Sequence, residues 1–484
     1  MALKRLFTII LPLLIAAGCN QNQTGENPPP QVPETQERDR ARAGQMLVVG
    51  ADGKPLAGAK VLIGLALNQP FSGNFLTADS NGLITVPVAW TSPQPVTIQA
   101  PGHTRVTFLG QLPQGQQFQV PAHVDEYARE VRGVATGIEP FIKDKDGYLD
   151  FAVVTPLVTL EDILMFETGQ LISPENDTIS ILGQSIKIPS NLSLPRQRES
   201  IGIITITPEK PTYRLRVSAN RDVPLAALRG RAKQSALTDA AGPELVNSVE
   251  SFGGGIRPLA AGTGTATLNI PAAELTFPKK VDVVAPQFSS ADMMTSMAFA
   301  RHDANYLYPT DIKVHAPGQT WKLSVSQNAQ SHLTFTWTKK DFKQNRAASL
   351  MLARPGGERV AANFLQLVPK PQLTGTTLTL SPPAGTRGVQ AAATYIAYSD
   401  VQITSNQTVD AEKISKKWEF FAPGWVTSVS IPVWPEGELA TQNTRRWEVL
   451  FLGREGAGQS TQSINVNAHD FSNVTHVTRN LIDL

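Results

Sequence analysis

Glycine and proline punctuate most of this chain, 36 of each among 484 residues. Helix interiors reject both, glycine for its backbone entropy and proline for its missing N–H and its ring. The apolar residues between these breaks come in short runs. Val96, Ile98 and Ala100 alternate with Thr97 and Gln99, the period of a half-buried strand. Charged residues make up only 17% of the chain, too few for the exposed faces of a long helical bundle or coiled coil. A hydrophobic content of 41% is too high for a disordered chain. The length accommodates roughly three domains of ~150 residues. The fold class expected is mainly β: tandem β-sandwich modules with a small helical insertion near residues 222–253.

The N-terminus follows a different rule. Lys4 and Arg5 form a basic patch, Leu6 to Ile15 a short apolar run broken by Pro12, and Ala16, Ala17 and Gly18 lead to Cys19, the one cysteine of the chain. An apolar run this short falls below the ~20 residues of a membrane-spanning helix and reads as a signal peptide over residues 1–18. IAAGC resembles the bacterial lipobox, with Ala16 where leucine is commoner. The resemblance implies diacylglyceryl transfer to the Cys19 thiol, cleavage before it and acylation of the new N-terminus; the alternative is a plain secretory peptide. Asn20 stands where an aspartate would resemble an inner-membrane retention signal, which favours the outer membrane. A lipidated Cys19 leaves the folded part without disulfides, cysteine zinc ligands or a cysteine nucleophile. Loss of Lys4 and Arg5 leaves 41 basic against 41 acidic side chains, so no global field attracts nucleic acid. Residues 19–44 are polar and proline-rich, a tether reaching ~80 Å extended or ~30 Å as a coil.

From Met46 onward the runs are strand-like. VVGADGKPLAGAKVLIG, TADSNGLITV and VTIQAPGHTRVTF resemble the three successive signatures of carboxypeptidase regulatory-like domains, with His103 where that family commonly has an aromatic residue. The resemblance covers about residues 45–121. It implies a transthyretin-like sandwich of seven or eight strands, and no peptidase activity, since the module is an accessory domain. The boundaries expected are this sandwich over 45–125, a β-rich middle region over 126–370, and a C-terminal sandwich over 371–484 after a seam at Lys370-Pro371. In the middle region Asp222 is placed to cap a helix carrying Leu225, Leu228 and Ala232 on one face. Pro243 opens another with Leu245, Val249 and Phe252, stopped by Gly253 to Gly255, and Ser290 to Phe299 reads as a further short helix.

Signatures of catalysis are absent: there is no GxSxG, HExxH or GxxxxGK. Four features carry residue types that chemistry uses. His123 and Glu126 form an HxxE, read as coincidence because no histidine follows before His302 to complete a zinc site. Asp144, Asp146 and Asp150 have the spacing of a calcium loop, but Ile142 and Val153 occupy two ligand positions. The favoured reading there is a hairpin turn between Phe141-Ile142 and Leu149 to Val154, with weak calcium binding left open. Met293, Met294 and Met297, near His302, would suit Cu(I), yet as an i, i+4 helical face they read as gap-filling core. Finally Trp337, Trp418, Trp425, Trp434 and Trp447, with Tyr395 and Tyr398, concentrate in the C-terminal third. Trp447 alternates with Val449 and Phe451 and is expected inside, whereas Trp425 and Trp434 sit at turns and are expected partly exposed.

The site residue expected is Cys19, as the lipidation point, with no catalytic, metal or cofactor residue. The function expected is that of a membrane-anchored envelope lipoprotein, not an enzyme, that binds, adheres or scaffolds through its β modules. Its partners would be the bilayer, through the acyl chains, and a glycan, peptide or envelope protein, with no nucleic acid. The alternative is an envelope polysaccharide or peptide hydrolase using two carboxylates distant in sequence.

Overall fold

The alternation seen in residues 45–120 folds into two facing sheets. Their strands are β1 (Gln45–Gly50), β2 (Lys60–Ile63), β3 (Leu76–Thr77), β4 (Leu83–Thr85), β5 (Gln94–Gln99), β6 (Arg105–Gln111) and β7 (Gln116–Val120). β4, β1 and β7 make one sheet and β3, β2, β5 and β6 a run of the other. The pleat sends Val96, Ile98, Val106 and Phe108 inward against Val48, Ile84 and Phe118. Each such side chain contributes about 1.5–3 kcal/mol when fully buried. The computed structural model describes residues 44–484 except 68–72, 114, 125–127, 139–140, 143–147, 167–172, 174, 182–183, 195–196, 202–203, 207–209, 234–242, 289–292, 328–331, 340–345, 354–358, 386–387, 406–409, 438, 440–442 and 457–464. Cys19 and the segments expected as signal and tether lie outside the described residues.

The protein is mainly β with very little helix. A single sheet of thirteen strands takes members from all three expected segments. β6 pairs in parallel with Asp410–Pro423, Arg105 opposite Trp418 and Phe108 opposite Phe421. Ala348–Ala353 pairs with His476–Asp483, Ala348 opposite Arg479. The seams expected at residues 125 and 370 therefore do not separate one sheet from another. Thr444–Glu455 holds eight consecutive buried residues. Its Leu450 and Leu452 enter the core shared with the N-terminal strands, while Val449 and Phe451 enter a second core on the opposite face.

Burial on both faces also explains where helices were misread. Residues 225–232 form no helix but the strand Leu225–Lys233, paired with Tyr148–Pro156 and Glu250–Arg257. Leu225 and Ala227 pack on one side and Ala226 on the other, so the successive apolar residues at 225–228 satisfied a helical spacing by coincidence. Asp222 caps no helix; its Oδ1 accepts a hydrogen bond from the Ala261 N–H at 2.8 Å. After Pro243 a helix does form, but only over Pro243–Ser248, and Phe252 belongs to the following strand. Met293–Arg301 is likewise a strand, not a helix.

Gly253 to Gly255 lie inside Glu250–Arg257 rather than ending a helix. A Cβ on Gly255 would sit 1.6 Å from the Pro271 carbonyl oxygen, so glycine is there for close backbone approach. Gly255→Ala is expected to cost about 3 kcal/mol or more, since strand backbone rather than a side chain must move. Gly264→Ala, with no described atom within 4 Å of the added Cβ, should stay within about 0.5 kcal/mol of wild type. Urea unfolding of both variants checks the contrast.

Candidate functional site

The sequence candidates disperse. His123 is exposed and its backbone N–H donates to the Gly102 carbonyl; Glu126, its partner in the HxxE, lies outside the described residues. Asp144 and Asp146 also lie outside them, while Asp150 pairs with Arg231 at 3.2 Å and Arg229 at 3.8 Å. The hairpin expected there does not form: Phe141–Ile142 pairs with Gln197–Ile201, and Tyr148–Pro156 with other strands. On a strand Met294 and Met297 point to opposite faces, each fully buried in a different core. They do not converge on an ion, and His302 is exposed nearby. Among the described residues no three His, Cys, Asp or Glu are grouped to hold a metal.

The aromatic residues do assemble. Trp447 is inside, 4.8 Å from the Tyr398 ring and 5.7 Å from Phe420. The Trp337 side chain lies outside the described part. Trp425 is half-buried and its indole N–H donates to the Leu452 carbonyl at 2.8 Å. Trp434 departs from expectation: it is buried, with only 5% of its surface exposed. The loop that carries it is drawn down by the Val433 N–H bond to the Leu65 carbonyl, and the ring closes over Arg105.

Arg105 is the centre of this arrangement. Its guanidinium lies 4.8 Å from the Trp418 ring and 4.4 Å from Trp434, one on each strand or loop that meets β6. Nε donates to Gln99 at 3.1 Å, and Trp418 is fixed in turn by its indole bond to Thr107 at 2.8 Å. Nη1 is buried with no hydrogen-bond partner among the described residues. Burial pulls the Arg105 pKa down to about 10, opposed by the charge of Glu436, so it stays charged at neutral pH. Glu436 is ion-paired with Lys60 and, through hydrogen bonds from Lys60 and then Trp434, is held below the ordinary carboxylate range. Phe75 completes the cluster, 4.7 Å from the Trp434 ring.

A second grouping escaped the sequence. The helix α1 (Leu160–Leu164) is closed by a capping box, Thr159 accepting from the Asp162 N–H and Asp162 from the Thr159 N–H. Ile163 and Leu164 anchor it in the core that holds Tyr395 and Phe421, which brings Glu161 toward Glu419. Glu419 accepts from the Tyr395 hydroxyl at 2.6 Å and faces Lys416 at 3.5 Å, while its Oε2 is buried with no partner among the described residues. His469, at φ 50°, has its ring tilted 4.5 Å from Phe421, and its Nε2 is likewise buried with no partner among the described residues. Burial first, then the charges of Glu419 and Asp162, push Glu161 up to about 7 against the opposing charges of Lys416 and Arg221. Burial pulls His469 and His476 down to about 4. Thr159 and Asp162 carry the T-x-x-D spacing of a capping box, a signal that could have placed this helix; the meeting of residues 161, 419 and 469 has no such signal, since they are joined only by the sheet.

No protein-family model matches the chain, and no curated protein matches it.

These groups set opposite pH limits. Glu161 binds its proton more tightly folded than unfolded, so its contribution is full below about 4.5 and lost as pH rises through about 7. His469 and His476 bind protons more weakly folded, so theirs is full above about 6.5 and lost as pH falls toward about 4. Glu161→Gln should flatten the alkaline fall by up to about 3 kcal/mol, and His469→Gln the acid fall. Urea titrations at pH 4, 5.5, 7 and 8.5 measure both.

Proposed function

We propose that the chain is a lipid-anchored lipoprotein of the bacterial envelope, attached at Cys19, whose β body recognises a ligand or partner and is not itself an enzyme. The N-terminal basic patch, short apolar run and IAAGC support the anchor. The polar, proline-rich residues 19–44 support a tether that frees the body from the bilayer. The regulatory-like signatures in residues 45–121 support an accessory sandwich at the N-terminal end. Asn20 favours the outer membrane.

The observation that carries recognition over catalysis is where exposure falls. Reactive-type groups such as Glu419 Oε2, His469 Nε2 and His476 Nε2 are closed to solvent. The Ser296–His315 pair, 2.9 Å apart, is buried as well. Lys60 with Glu436 reaches the surface, set against aromatic rings, an arrangement suited to holding a ligand. The hydrolase alternative has Glu161 and Glu419 in its favour, two carboxylates distant in sequence with Glu161 held protonated into the neutral range.

Two measurements test this reading. Cys19→Ser should move the protein from the membrane fraction to the soluble one and remove the lipid mass from its N-terminal peptide. The lipid-free body, offered envelope glycans and peptidoglycan fragments, should bind saturably without releasing products. Turnover that Glu161→Gln abolishes would install the hydrolase in its place.

A further inference from the structure

We propose that Lys60, Arg105 and Trp434 form a carboxylate-binding cradle that the chain's own Glu436 fills in the free protein, and that its ligand is a saccharide bearing a uronic acid carboxylate. This site deepens the recognition reading and rests on it.

The donors that surround Glu436 are those an acidic ligand needs. The Lys60 ammonium pairs with it directly, and the Trp434 side chain and the Arg105 charge both favour its ionised form. These come from β2, β6 and the loop after Ser428–Ser430, three elements distant in sequence. A lone surface ion pair needs none of this scaffolding and contributes little. Here a guanidinium 95% buried is clamped between two indole rings, which fixes its plane before any ligand arrives. Its Nη1 is left with no partner among the described residues, although a buried charged donor is costly to leave unsatisfied. Glu436 occupies Lys60 without satisfying that N–H.

Glu436 is also the replaceable member. Its side chain is half exposed and Lys60 is 42% exposed, so both swing out at small cost. The rings stay behind: Phe75 and Trp434 lie 4.7 Å apart, and Lys60 sits 5.5 Å from the Phe75 centroid. Beside them Val433 is 57% exposed and Leu65 40%. An aromatic and aliphatic rim next to a fixed cationic edge suits a sugar ring carrying a carboxylate, its C–H face on Phe75, Leu65 and Val433 and its acid in the place of Glu436.

The test removes the competitor rather than the site. Lipid-free wild type, Glu436→Gln and Lys60→Gln are titrated with trigalacturonate, its methyl ester and triglycine, read by tryptophan fluorescence and calorimetry. Both substitutions are at exposed positions and leave the buried clamp intact. The expected result is trigalacturonate binding that weakens with salt, that is lost on esterification, and that Glu436→Gln tightens by about 3–10-fold while Lys60→Gln weakens it. The proposal is overturned if Glu436→Gln leaves affinity unchanged or lowers it, if the ester binds equally, if only triglycine binds, or if nothing binds. Binding of other envelope glycans that neither substitution alters would sink this site and leave the recognition reading standing.

Discussion

The parallel pairing of β6 with Asp410–Pro423 is what makes one body of three segments. Its register places Phe108 against Phe421, 5.8 Å between ring centroids, and Arg105 against Trp418. Val106 and Phe108 of β6, with Phe421, thus feed the core shared with the N-terminal sandwich, while Arg105 and Leu109, with Trp418 and Phe420, lie under the C-terminal layer. A one-residue flip of β6 would exchange its two faces, turning Arg105 toward Phe118 and Phe421 and sending Val106 and Phe108 out of that core. Closing a loop of some three hundred residues costs only slowly growing entropy, whereas burying rings on both faces repays it in many contacts. The pairing is specified by side chains on either strand, not by anything local to either.

That distinction decides what could be read from the chain. Residues 45–120 were legible because their strands alternate and their turns fall at Asp52-Gly53, Asn81-Gly82 and Pro101-Gly102, three positions with positive φ at the glycine. The small helix at Pro243–Ser248 was legible from its proline. Leu225–Lys233 and Met293–Arg301 were not, since their runs 225–228 and 297–300 are apolar at successive positions, packed on both faces, and lose the period-2 signal there. The glycines at 253–255 mark a backbone approached by Pro271, a long-range fact that composition reads as punctuation. The aromatic concentration near the C-terminus was visible, but its partner Arg105 sits more than three hundred residues earlier. Glu161, Glu419 and His469 carry no spacing that any motif could find.

Buried charge is the second theme of the interior, and it is handled unevenly. Lys210 is enclosed by the carbonyls of Ser190, Leu192 and Thr212 at 2.7–2.8 Å and faces Asp177 at 3.1 Å, a fully provided ammonium. Arg479 and Glu448 pair at 2.6 Å on neighbouring strands, with Arg479 also 4.3 Å from the Phe166 ring. Such pairs roughly break even against apolar packing, but removing one partner is costly, so they reward only one register. A body whose one cysteine is Cys19 has no cross-link to fix its strands, and these networks take over part of that work. Glu419 and His469 stand apart because each keeps a buried polar atom with no hydrogen-bond partner among the described residues.

The contrast between Lys210 and Arg105 bears on what the surface cluster is for. Both are cations withdrawn from water, yet the first is saturated with acceptors and the second holds π-faces and a single amide oxygen. Rings stabilise a guanidinium without using up its N–H groups. A tethered carboxylate such as Glu436 competes at an effective concentration in the millimolar range, so a free anion gains little by replacing it. Only a ligand that adds contact with Phe75 and the exposed Val433 can outbid it. Self-occupation therefore acts as a filter. It suppresses simple anions, keeps Lys60 from sitting uncompensated at the surface, and leaves selectivity to the apolar rim, where the carboxylate alone carries no preference.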